Sequence, residues 1–157
     1  MYLEYMRLKK GIAMNSVFDV AKYILRKQGP MSTMKLQKLV YYCQAWSLAW
    51  DGFPLFYEEF EAWANGPVCI DLFNKCNGMF LVDESLFIDM PSYRFTDDQR
   101  ETMDKVLKYY GKRKLHWLRK LTHGEGPWKM ARIGYPSGAS CNVVISKESM
   151  QRYYGGL

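Results

Sequence analysis

Residues 32–50 impose the strongest constraint on what this chain can fold into, because they carry a long helical run that includes Met34-Lys35-Leu36-Gln37-Lys38-Leu39-Val40-Tyr41-Tyr42. Leu36, Leu39, Val40, Cys43, Trp46 and Leu48 fall at helical spacing. Ser32 or Thr33 can cap its start, and Asp51-Gly52 ends it. The pattern predicts a basic, aromatic, amphipathic helix whose apolar face the rest of the chain must cover.

The flanking segments supply that cover. Val17, Val20, Ala21, Ile24 and Leu25 share one helical face, with Asn15 or Ser16 as cap and a stop near Gln28 before Gly29-Pro30. Beyond Pro54, Phe60, Ala62 and Ala64 alternate with Glu59, Glu61 and Trp63, which predicts a short strand. Asn65-Gly66-Pro67 reads as a turn, with Pro67 opening a short helix through Asp71 and Phe73. Residues 77–94 read as loop with one or two weak strands. Thr96-Asp97-Asp98-Gln99 is a capping box that opens a helix over 97–110, with Met103, Val106, Leu107 and Tyr110 inward and Gly111 as its end. Leu115, Leu118 and Leu121 mark a further helix, Pro127 starts a short one, and 134–138 is a Gly/Pro connection. Val143, Val144 and Ile145 suggest a strand, and Ser146 caps a last helix. The expected fold is mainly α within the α+β class: a compact helical domain with a small antiparallel sheet.

At 157 residues the chain is sized for one domain. The domain is expected over 14–157, with 1–13 as an N-terminal extension and Met14 as an alternative start. Net charge is +6, and Arg7, Lys9 and Lys10 against Glu4 place part of it in the first 13 residues. That excess suits an acidic partner but is weak for a dedicated nucleic-acid binder. No apolar stretch approaches the roughly 18 residues of a membrane span, and the N-terminus lacks an apolar signal core. Cys43, Cys69, Cys76 and Cys141 contain no Cys-x-x-Cys pair, which reads as reduced thiols. Cytoplasmic residence is the expectation, with no membrane partner.

Catalytic constellations are sparse. Zinc sites place paired ligands two to four residues apart, a spacing that Cys69 and Cys76 do not meet, so inert thiols are expected and no metal or cofactor is implied. Gly124-Glu125-Gly126 lacks the preceding strand and following lysine of a nucleotide loop. His123, beside Glu125, is the better of two histidines for catalysis, although a role in holding the helix end explains it more simply. The run over 105–120 contains Lys105, Lys108, Lys112, Arg113, Lys114, Arg119 and Lys120 with Tyr109, Tyr110 and Trp117. Three readings stay open for it: a solvated helix face, a surface for an acidic protein, and a single-stranded nucleic-acid site. Trp63 beside Gly-Pro reads either as an interface anchor or as a cover for the core edge.

Taken in order, the motifs resemble the Panacea domain family of SocA-like, phage-associated antitoxins. The residues that carry the likeness are Val20-Ala21-Lys22-Tyr23-Ile24, Lys35-Leu36-Gln37-Lys38-Leu39, Tyr41-Tyr42 and Gly52-Phe53-Pro54-Leu55-Phe56, followed by Glu61-Ala62-Trp63, Asn65-Gly66-Pro67-Val68, Leu121-Thr122-His123 and Pro127-Trp128. The resemblance implies a non-enzymatic antitoxin that neutralises a cognate toxin protein by binding it, in some members delivering it to a protease. Trp63, Asn65, Arg113, Lys114, Trp117 and His123 are the residues expected to meet the partner. A nucleic-acid-binding regulator is the alternative.

Overall fold

The computed structural model describes residues 15–91 and 94–157, so the 1–13 extension and Met14 lie outside the described residues. Ser16 starts the first helix, α1 (Val17–Gln28), through a reciprocal capping box with Asp19. Gly29, at φ 83°, ends it. The strand β1 (Met31–Ser32) then leads directly into α2 (Thr33–Trp46), where the Ser32 hydroxyl accepts the Lys35 N–H at 3.2 Å. A π-helical turn, Ser47–Asp51, extends α2 to the predicted stop at Gly52.

Helix α2 is not amphipathic. Every residue from Leu36 to Ala45 is buried, Gln37, Lys38 and Gln44 among them. A helix covered on all sides must satisfy its polar side chains internally, and these three do so on the backbone of neighbouring segments. Gln44 donates to the Phe56 carbonyl at 2.9 Å and accepts the Leu55 N–H at 2.7 Å. Gln37 donates to the Cys69 carbonyl at 3.0 Å and accepts the N–H of the same residue at 2.8 Å. Lys38 Nζ donates to the Pro67 carbonyl at 3.0 Å.

The Cys69 and Pro67 carbonyls belong to a hairpin of β2 (Phe60–Trp63) and β3 (Gly66–Cys69), antiparallel with Trp63 opposite Gly66. Pro67 therefore lies in a strand and does not open a helix. The two-residue turn is Ala64-Asn65, and β3 is an edge strand, where a missing N–H is tolerated. Gly66 has φ +114°, and a Cβ there would stand 2.6 Å from Lys38 Cε, so this position demands glycine on two counts. The short helix begins later, as α3 (Ile70–Cys76), and stops at left-handed Asn77.

Residues 77–94 hold β4 (Leu81–Val82), which pairs with β1, and a 3-10 turn, Glu84–Phe87. The Thr96–Gln99 capping box opens α4 (Asp97–Tyr110) as expected. Then follow α5 (Leu115–Gly124), α6 (Gly126–Ala131), β5 (Val144–Ile145) and α7 (Lys147–Gly155), which Ser146 caps. Strand β5 adds to the hairpin in the order β3-β2-β5. Helices α1, α3, α4, α5 and α7 all pack on α2. The result is a helical α+β domain with two small antiparallel sheets.

A buried polar knot ties the C-terminal elements to α2. Tyr42 and Tyr154 donate to Glu125 Oε1 at 2.6 and 2.8 Å, and the Tyr42 ring stacks on Tyr110 at 4.2 Å. Burial raises the Glu125 carboxyl above its ordinary range, while the two hydroxyls pull it back down.

Two outcomes follow for stability. Gln44→Leu leaves the buried Leu55 N–H and Phe56 carbonyl unpaired, so urea unfolding should show a loss of about 2–5 kcal/mol. Burial first, and the Arg119 charge second, lower the Lys38 ammonium from 10.5 to about 7. The unfolded chain keeps that proton to about 10.5, so between these values it binds more protons and stability rises with pH. From about pH 8 the buried thiols oppose the trend, because Cys43, Cys69 and Cys76 hold their protons where an unfolded thiol, with its value of 9.0, begins to release them. Between pH 7 and 8, stability should therefore climb by at most about 1.4 kcal/mol per pH unit. Urea midpoints of Lys38→Met should lack that climb.

Candidate partner-binding site

The six residues singled out by sequence fall into two groups. Trp63, Asn65 and His123 gather at the hairpin, whereas Arg113, Lys114 and Trp117 form a ridge where α4 gives way to α5.

At the hairpin, alternation along β2 points Phe60 and Ala62 inward and leaves Glu61 and Trp63 half-buried. Trp63 Nε1 donates to Glu61 at 2.9 Å, and its ring meets Phe73 edge-on at 5.0 Å. Trp63 is thus neither a free anchor nor a sealed core residue. It forms one wall of an open groove of about 840 Å³ that Met34, Ile70, Phe73 and Cys141 also line. Phe73 is 42% exposed, a large apolar ring that its place in α3 turns outward. The sequence places Phe73 in a helix but does not mark it as a surface residue, since no local pattern says which turn of so short a helix stays uncovered.

The groove is braced from behind. Trp128 Nε1 donates to the Trp63 carbonyl at 2.8 Å, and the His123 ring stacks on Trp128 at 4.0 Å with 9° between planes. Asn65, exposed at the turn, accepts from Arg119 of α5 at 3.4 Å. Arg132, buried, donates to the Ala62 carbonyl at 2.8 Å and to the Ala139 carbonyl at 2.6 Å, which fastens the 133–142 connection beside β2. No sequence signal marked Arg132, because its partners are carbonyls that any residue could provide.

His123 does not pair with Glu125. The carboxylate is engaged by Tyr42 and Tyr154, while the His123 ring is committed to Trp128. Burial lowers the imidazole below its ordinary range, and Arg119, Lys38 and Arg132 push it further down. That favours a neutral ring in a packing role. The four cysteines are free and buried. Among the described residues, no group of three or more His, Cys, Asp and Glu is placed to hold a metal, and no helix is long and apolar enough to cross a membrane.

The basic run over 105–120 is not one helix. It spans the end of α4, a turn at 111–114 and the start of α5, with Lys114 in extended conformation at the cap position. Arg113 lies over the Trp117 ring at 4.4 Å and the Tyr109 ring at 5.8 Å, and Lys105 over Trp50 at 5.8 Å.

A family model described as antitoxin SocA-like, Panacea domain, matches residues 36–129, more than half of the chain. The chain belongs to this family. No curated protein and no solved structure matches it. In this Panacea domain the matched span runs from α2 to α6, so it includes the hairpin, Phe73, Trp128 and the basic ridge. The Arg132-held connection lies beyond it.

Arg132→Ala should release the connection that walls the groove while leaving the helices intact. Hydrogen exchange should then show lost amide protection over 133–143 with α1, α2 and α4 unchanged. Uniform loss of protection would mean that Arg132 holds the whole fold instead.

Proposed function

We propose that this protein is the antitoxin of a toxin–antitoxin pair and that it neutralises a cognate cytoplasmic toxin by binding it directly. Family membership supports the antitoxin role. The observation that favours direct binding is the groove at the hairpin, where Trp63 and Phe73 stand partly exposed on a rigid support. Trp is enriched among the few residues that carry most of an interface's energy, and such anchors work best when their position is fixed before binding. The hydrogen bond from Trp128 and the clamps from α2 fix this one.

No catalytic step belongs to this reading. Binding alone would silence the toxin by covering its working surface. Delivery to a protease is a second step, open only once the complex exists; it would shorten the toxin's lifetime in cells, whereas sequestration would leave it unchanged.

The test is co-expression with the product of the adjacent open reading frame. The two chains should co-elute, and the antitoxin should restore growth. A Trp63→Ala/Phe73→Ala variant with an unchanged circular dichroism spectrum should bind at least about 2 kcal/mol more weakly and lose the rescue. Absence of both complex and rescue with the intact protein would overturn the proposal.

A further inference from the structure

Residues 105–124 carry seven Lys and Arg and no Asp or Glu, whereas the rest of the chain has 15 cations against 16 carboxylates. These 20 residues carry +7, whereas the rest of the chain sums to −1, with +2 in the first 13 residues and −3 in the others. The excess is thus focused on one surface, the end of α4, the 111–114 turn and the start of α5. Of the seven cations only Lys105 has an ion pair among the described residues, to Glu101 at 3.1 Å. Lys108, Lys112, Arg113, Lys114 and Lys120 are all exposed.

The aromatic residues on this surface carry the protein's own cations, although Tyr109 is 58% and Trp50 51% exposed. The Arg113 guanidinium lies over Trp117 and within reach of Tyr109, Lys105 lies over Trp50, and Tyr110 is committed to the interior by its stack on Tyr42. Single-stranded nucleic acid is held largely by bases stacking on free aromatic faces. Here the protein's own cations compete for those rings, most closely Arg113 over Trp117 at 4.4 Å. A guanidinium held on a ring has lost part of its rotamer freedom and still offers its edge N–H groups, which suits paired hydrogen bonds to a carboxylate. Arg119 extends the charge to Asn65 at the hairpin turn, so the ridge continues to the groove.

We propose that this ridge docks an acidic, Asp/Glu-rich segment of the protein partner, an assignment that rests on the antitoxin reading for the identity of that partner. The groove anchors the complex, and the ridge supplies the charge contacts that steer it.

Fluorescence anisotropy with a fluorescein-labelled oligoglutamate and with an oligothymidylate of equal charge tests the ridge. Oligoglutamate should bind the intact protein more tightly than oligothymidylate and should weaken with added salt. Arg113→Glu/Lys114→Glu should lower its affinity about tenfold or more, and Trp117→Ala, which removes the platform without changing charge, about two- to fivefold. Lys129→Glu/Arg152→Glu, with the same change in net charge elsewhere, should have a much smaller effect. Tighter binding of oligothymidylate, or equal losses in both double variants, would overturn the inference. With the purified toxin, the ridge reversal should cost about tenfold in affinity. Toxin affinity unchanged by the reversal would overturn the ridge's role and leave the antitoxin reading intact. Oligoglutamate binding without any toxin binding would remove the antitoxin reading and leave a site for acidic segments.

Discussion

The fold depends on polar side chains that leave a helix buried on every face from Leu36 to Ala45 to hold backbone elsewhere. Gln37 takes both the N–H and the carbonyl of Cys69, Gln44 takes Leu55 and Phe56, and Lys38 takes Pro67. Each amide makes a two-point contact of the kind a neighbouring strand would make, so α2 joins a loop and a hairpin without lying in any sheet. An unpaired buried backbone group costs about 1–3 kcal/mol. Apolar contact alone would allow the hairpin to slide along α2, but these bonds are satisfied in only one register. They fix where β3 runs, and the pairing with β2 then fixes Trp63.

The same bonds explain what was and was not legible in the sequence. Helices with caps and periodic apolar residues were visible because their determinants are local: Ser16 with Asp19, Thr96 with Gln99, Ser146 before α7. The burial of Lys38 and Gln37 was invisible, because their partners lie 29 and 32 residues away and helical spacing alone assigns a charged side chain to solvent. Pro67 departs from the expected helix start for a related reason. Proline fits both a helix start and an edge strand, and the choice was made by Lys38 reaching its carbonyl and by Gly66 admitting that lysine. Glu125 beside His123 suggested chemistry, yet Tyr154 is 29 residues away and Tyr42 is 83. The candidate site was half visible: Trp63 and Asn65 through the unusual turn, Phe73 and Arg132 not at all.

The charge distribution shows why a whole-chain figure misleads. A net charge of +6 spread over 157 residues is unremarkable, but the same charge on 20 consecutive residues gives a local field that falls off over about 10 Å at moderate salt. Folding then concentrates it further, since Gly111 ends α4 and the chain turns back within four residues to start α5. The interior constrains this surface little. Leu118 and Thr122 are the fully buried members of α5, and the cations occupy the remaining turns.

Interior and surface therefore tolerate change differently. Replacing Gln37, Lys38 or Gln44 singly strands a buried partner, and Gly66 cannot enlarge without meeting Lys38. The residues that line the groove and ridge satisfy few obligations: Phe73 is partly exposed, Arg113 rests on rings of its own surface, and 140–142 is held by Arg132 through the carbonyls of its neighbours. A clamp onto carbonyls does not depend on side-chain identity along the connection. A scaffold built this way can keep α2 and its hairpin rigid while the groove and ridge are altered residue by residue, as the proposed matching of one antitoxin to one partner would require.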